Sequence, residues 1–191
     1  MSLPPEEQAR ANFYALLSRL FYGPPDAGLL AALGQADELE ADDPIIAGSW
    51  RELAKASAGA DADVVREEYE TAFGGAGRAP VTLYASAYSV RYTNEMPLAE
   101  LRAELAKLGL SRRNETGEPE DHIAALCDTM RYLVTERELA DQQGFFGRWI
   151  QPIVDPLCNA IETSELTAFY KHVGRMAKAF FLLERSAFEM L

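Results

Sequence analysis

The sequence predicts an all-α protein, and three observations carry that expectation. Apolar residues recur at spacings of three and four in run after run, which places them on one face of a helix each time. Proline, aspartate or serine opens these runs and glycine closes several of them, as helix ends require. The one strictly alternating stretch, Tyr84, Ser86, Tyr88, Val90 and Tyr92, has no second strand pattern to pair with, and a lone strand leaves its backbone groups unsatisfied. The expected architecture is a single globular helical domain of about nine helices. Its two coupled lobes, 1–109 and 119–191, are joined by a central hinge loop at 110–118.

Each element has its own signals. Pro4-Pro5-Glu6-Glu7 opens a first helix with Ala9, Phe13, Leu16, Leu17, Leu20 and Phe21 on one face, and Gly23-Pro24-Pro25 closes it. Asp26 caps a second, with Leu29, Leu30 and Leu33, that ends near Gly34 or after an acidic extension from Gln35 to Glu40. Asp43-Pro44 starts a third, where Ile45, Ile46, Trp50, Leu53 and Ala54 continue to Gly59. A fourth begins near Asp61 or Asp63, carries Val65, Tyr69, Ala72 and Phe73, and stops at Gly74-Gly75. Gly74 to Pro80 is a loop. It lacks the Gly-Lys-Ser/Thr ending of a phosphate loop, and no strand precedes it.

The alternating tyrosines read as a loop with a short helix, serving either as plain core or as the lining of a groove for a bound peptide. Thr93-Asn94 and Pro97 start a helix with Leu98, Leu101, Leu105 and Leu108, and Gly109 stops it. Leu110 to Gly117 is a polar connection. The central helix then takes Pro119 into its first turn, with Ile123, Leu126, Cys127, Met130, Leu133 and Val134 on one face, and reaches Leu139 or Ala140. In the next stripe, from Trp149 through Ile150, Ile153, Leu157 and Cys158 to Ile161, Pro152 and Pro156 force a break near Gln151 and a restart with Pro152 in the first turn. Ser164 caps a last helix with Phe169, Val173, Met176, Ala177, Phe180 and Leu183, ending near Phe188.

Composition narrows the function classes. At 191 residues and 48% apolar content the chain supports one core. Thirty acidic against 18 basic residues give a net charge of −12, which disfavours nucleic acid and anionic membranes and favours cationic or neutral partners. Cys127 and Cys158 stand in separate apolar patterns and suggest buried thiols, with no disulfide framework. Glu6 and Glu7 lead a helix that lacks the basic start and apolar stretch of a signal peptide. Ala179 to Leu183, the longest apolar run near the C-terminus, falls far short of the ~20 residues that span a bilayer. A cytoplasmic, soluble protein without stable membrane insertion is expected.

Glu118-Pro119-Glu120-Asp121-His122 is the densest chemical feature. Acids at a helix start complement its dipole, so a structural reading accounts for them. His122 fits less well, because the positive end of the dipole disfavours an imidazolium there. The site reads either as a structural helix start or as a binding site. No nucleophile–base pair, His-Glu-x-x-His helix or Cys/His ligand set occurs, and neither His122 nor His172 has a glutamate three residues before it. Neither a cofactor nor a metal site is therefore expected, and His172 reads as a packing residue. The competing class is a small all-helical metal-dependent hydrolase using Glu118, Asp121 and His122.

Glu-Pro-Glu-Asp-His opening a helix in the second half of the chain resembles the signature of the TorD/DmsD/NarJ family of redox-enzyme maturation proteins. The first half adds Glu68-Tyr69-Glu70-Thr71-Ala72-Phe73 and Tyr84-Ala85-Ser86-Ala87-Tyr88, and the C-terminal part adds Phe145-Phe146 with Trp149 and Phe169-Tyr170, so the resemblance covers most of the chain. Thr82-Leu83 depart from it, standing where relatives often carry prolines. The resemblance implies a cytoplasmic, non-enzymatic chaperone. Such a chaperone binds the catalytic subunit or twin-arginine signal peptide of a molybdenum-containing oxidoreductase and assists cofactor insertion, proofreading and assembly. It implies a monomer or a domain-swapped dimer, and ligand-binding roles for Asp121 and His122. The expected peptide-binding set is Tyr84, Ser86, Tyr88, Glu118, Pro119, Glu120, Asp121 and His122, with the carboxylates receiving guanidinium groups.

Overall fold

The computed structural model describes residues 3–75, 79–88, 97–111 and 117–190. Its helices in chain order are α1 (Pro5–Tyr22), α2 (Ala27–Gly34), α3 (Pro44–Ala58), α4 (Ala62–Phe73), α5 (Pro97–Lys107), α6 (Ile123–Glu136), α7 (Leu139–Phe145), α8 (Val154–Thr163) and α9 (Tyr170–Glu189). Short 3₁₀ turns occupy Ala85–Ala87 and Gln151–Ile153, and a π turn occupies Phe146–Ile150. Among the described residues the only strand-like pairing is one isolated antiparallel bridge, so the all-α expectation holds.

Two compact units interleave along the chain: Met1–Ser18 with Leu83–Ile153, and Arg19–Thr82 with Val154–Leu191. The sequence expectation divided the chain at 110–118 instead, and residues 112–116 of that stretch lie outside the described residues. So do Val90, Tyr92 and Thr93-Asn94 of the expected tyrosine pattern and helix start.

In the first unit, Tyr14, Leu17, Leu101, Ile123, Met130, Phe145 and Phe146 are buried. The Ser18 hydroxyl donates to the Ala124 carbonyl at 2.9 Å, and Arg10 donates to the Gln142 side chain at 3.0 Å, so polar contacts tie α1 to α6 and α7. Gly109 ends α5 at φ +78°, and the Leu110 N–H reaches back to the Leu105 carbonyl at 2.8 Å, closing the helix as the sequence predicts. The expected central helix is two helices. Arg137 is extended at φ −133°, so α6 stops at Glu136 and α7 begins at Leu139, after a two-residue break. Pro152 sits in the 3₁₀ turn rather than in the first turn of the restarted helix. The chain first widens into the π turn, and α8 restarts at Val154 with Pro156 in its first turn, where a missing N–H is tolerated.

In the second unit, Asp26, Asp43 and Asp61 accept backbone N–H groups at the starts of α2, α3 and α4, each as the sequence predicts. The acidic Gln35–Glu40 stretch leaves the helix, and the indole N–H of Trp50 donates to the Asp37 carbonyl at 2.9 Å. Ser164 does not cap α9. Its hydroxyl accepts from Leu166, six residues earlier than the first turn requires. The Glu68 carboxylate takes that role from α4, accepting from Phe169 at 2.9 Å and from Tyr170 at 2.7 Å. Beside it Tyr69 donates to the Phe21 carbonyl at 2.8 Å, Tyr170 donates to the Leu20 carbonyl at 3.0 Å, and the rings of Tyr69, Phe73 and Tyr170 meet edge to face or tilted within 5.5 Å. Burial raises the Tyr170 phenol pKa far above its usual range, so it stays protonated and donates. The Glu68–Phe73 motif is thus a structural joint of α1, α4 and α9.

Candidate functional site

Within the first unit two distant chain segments lie antiparallel. The Ile123 N–H donates to the Leu83 carbonyl and the Ala85 N–H to the Asp121 carbonyl, both at 2.9 Å, with Tyr84 opposite His122. This supplies the partner that the alternating pattern lacked: one rung of pairing, after which the chain curls into the 3₁₀ turn at Ala85–Ala87. The pair holds Tyr84 and His122 on the same side, their rings 5.1 Å apart and near perpendicular at 79°. Asp121 also accepts the Ser86 N–H through its carboxylate at 3.2 Å, so consecutive amides of the turn are received by one residue.

His122 is the N-cap of α6. Its backbone is extended (φ −64°, ψ 135°), and Nδ1 accepts the Ala124 N–H at 3.2 Å. An imidazolium has no lone pair for that bond, so the cap requires the neutral ring with its proton on Nε2. Burial lowers the His122 pKa, against the opposing pull of Glu118 and Asp121, and so favours the same form. The expected misfit between His122 and the helix dipole therefore disappears. The helix itself starts later than expected. Asp121 to Ile123 is committed to the pairing with 83–85, so Pro119 and the three acids precede α6 rather than filling its first turn, which contains no acid.

The acids have local partners. Glu118 accepts the phenol O–H of Tyr84. Glu120 is paired with Arg102 of α5, Nε to Oε1 and Nη2 to Oε2, each at 3.0 Å. The guanidinium pKa rises in response, chiefly through the hydrogen bond to Glu120. Pro119 closes the preceding turn, its carbonyl accepting the His122 N–H at 3.1 Å.

Seven of the eight expected residues thus meet at this clasp: Tyr84, Ser86, Glu118, Pro119, Glu120, Asp121 and His122. Tyr88 ends the 3₁₀ turn, half-buried, with its N–H on the Ala85 carbonyl at 3.1 Å. Exposure divides the set. Asp121 and His122 are 8% and 4% exposed, whereas Ser86 is exposed and Tyr84, Glu118 and Glu120 are half-buried. The first two hold the clasp together and the others face outward in part. Arg102 was not foreseen, because a half-exposed arginine on a helix carries no local sign of a partner 18 residues away. For the hydrolase alternative, among the described residues no group of three or more His, Cys, Asp and Glu side chains is placed to hold a metal ion.

Residues 39–181, which include both segments of the clasp, match the family described as nitrate reductase delta subunit. A solved structure from Archaeoglobus fulgidus, described provisionally as a redox enzyme maturation protein, superposes with a TM-score of 0.59 and 18% identity over 92% of this chain and 93% of that one. At that identity the likeness is one of fold. No curated protein matches the chain.

Proposed function

We propose that this chain, which belongs to the nitrate reductase delta subunit family, is a cytoplasmic maturation chaperone for a molybdenum-containing oxidoreductase. It binds the catalytic subunit, or that subunit's N-terminal twin-arginine segment, and releases it once the cofactor is inserted. The work is done by binding, without a reaction of its own. The observation that carries this reading is the clasp, which sets the half-buried Glu118 carboxylate beside Tyr84, with the more enclosed Glu120 close by in sequence, in a protein of net charge −12.

A guanidinium is best received by a carboxylate that offers both oxygens to its fork of donors, and a flat tyrosine ring suits an adjoining apolar side chain. In this reading Glu118, Glu120, Tyr84, Ser86 and Tyr88 meet the peptide. Pro119, Asp121 and His122 are positioning residues, which fix the angle between the 3₁₀ turn and α6. The overall charge steers a cationic segment toward the protein and makes capture weaken as salt rises.

Calorimetric titration with a synthetic peptide carrying Arg-Arg ahead of an apolar run tests this reading. Wild type should bind, and Glu118→Gln, which keeps the shape but removes the charge, should weaken binding roughly tenfold. Equal affinity for wild type, Glu118→Gln and Tyr84→Phe would move the site elsewhere.

A further inference from the structure

We propose that the clasp is a two-state switch: as a client segment binds, the backbone turns at His122, residues 119–122 join α6 as one more helical turn, and the 83–86 side is uncovered for the client. This rests on the peptide-binding reading above. The closed form stands one step from that state. The His122 N–H already reaches the Pro119 carbonyl at 3.1 Å, so residues 119–122 form a closed turn. His122 itself has a helical φ of −64° but an extended ψ of 135°, and α6 starts at the next residue. Rotation of that ψ toward the helical value of about −42° carries the turn into the helix.

The chain also carries start signals for the longer helix, and the closed clasp leaves them unused. Proline suits a first turn and acids complement the dipole there, yet Pro119, Glu120 and Asp121 all stand ahead of α6. Such a conflict between local signals and observed structure is expected where an element serves a function.

On the α6 side the rotation exchanges hydrogen bonds one for one. The Ile123 N–H passes from the Leu83 carbonyl to that of Pro119, and the Ala124 N–H passes from His122 Nδ1 to the carbonyl of Glu120, the ordinary ladder of an α-helix. On the other side the Leu83 carbonyl and the N–H groups of Ala85 and Ser86 lose the partners they have in the clasp. Leu83 and Ala85 are only 3% and 1% exposed in the closed form. A polypeptide suits what is uncovered, because its backbone both donates and accepts and its apolar run covers the apolar side chains. The bond of Tyr84 to Glu118 and the ion pair of Arg102 with Glu120 also hold the closed form, so the open form is the minor one until a client favours it.

Two changes at one position test the switch, read by calorimetry with the Arg-Arg peptide at about pH 8, where the wild-type ring is neutral. His122→Asn keeps a cap and so holds the closed form, whereas His122→Ala removes the cap and favours the helix. Apparent affinity scales with the competent fraction, so His122→Ala should bind about threefold more tightly than wild type, or better, and His122→Asn should show no gain. If His122→Ala binds no more tightly than wild type, or His122→Asn gains equally, the switch is overturned and the peptide site stands. Absence of binding by every form would overturn both readings. Should His122→Ala prove poorly folded, the carbon chemical shifts of residues 120–122 in labelled wild type decide: they should move to helical values as the peptide saturates, and values unchanged from the free protein would overturn the switch.

Discussion

His122 determines where α6 begins, and it can do so only without a proton. The ring accepts the Ala124 N–H through Nδ1, and burial lowers its pKa from the ordinary 6.5. The unfolded chain therefore takes up a proton that the folded chain resists. This contribution to stability is whole above about 6.5 and is lost as the pH falls through the lowered value. Thermal melts between about pH 8 and pH 5 should show wild type losing stability on the acid side. His122→Asn, a good cap that does not titrate, should flatten that slope. A slope identical in both proteins would remove His122 from the account. His172, also lowered by burial and then by Arg175, is present in both and leaves a common remainder. The sequence showed that His122 was out of place as a cation at a helix start. It did not show the resolution, because the acceptor role depends on pairing with residues 83–85, which no local pattern displays.

Among the elements, the three helix starts capped by their own aspartates were legible and the one capped from afar was not. Asp26, Asp43 and Asp61 are caps in sequence and in structure. The start of α9 takes its acceptor from Glu68, about 100 residues earlier, so no window around Ser164 could reveal it. Glu68→Ala should destabilise the protein by about 2 kcal/mol, the order expected for two hydrogen bonds to a charged acceptor, measured by urea unfolding. A loss within about 0.5 kcal/mol, the range of ordinary surface changes, would contradict that role. The packing of α9 on α8 turns on Gly174. A Cβ there would lie 2.9 Å from Ile161 Cγ2, inside any normal contact. Gly174→Ala should therefore cost about 1–3 kcal/mol through overpacking. Adding Ile161→Ala, which deletes the offending methyl, should make the pair clearly less destabilised than the sum of the single changes, whereas strict additivity would show that the helices do not meet there. The proline pair at 152 and 156 announced a break, but it did not specify the π turn that precedes it, in which Phe146, Trp149 and Ile150 are buried.

For the whole molecule, the helical class was plain from periodicity, whereas the assembly of each unit from separated segments was not. The contacts that define the units, such as Leu83 with Ile123 or Glu68 with Tyr170, join residues far apart in the chain. The site shares this property. Its two halves stand out separately as motifs, yet only pairing reveals that Asp121 and His122 are buried while Tyr84 and Glu118 stay half-buried and Ser86 exposed. Hydrogen–deuterium exchange with and without a saturating Arg-Arg peptide tests this arrangement most directly. Slowed exchange is expected at the amides of residues 84–88 and 118–124, with α2, α3 and α9 unchanged. Protection confined to those three helices, with the clasp exchanging as in the free protein, would contradict it.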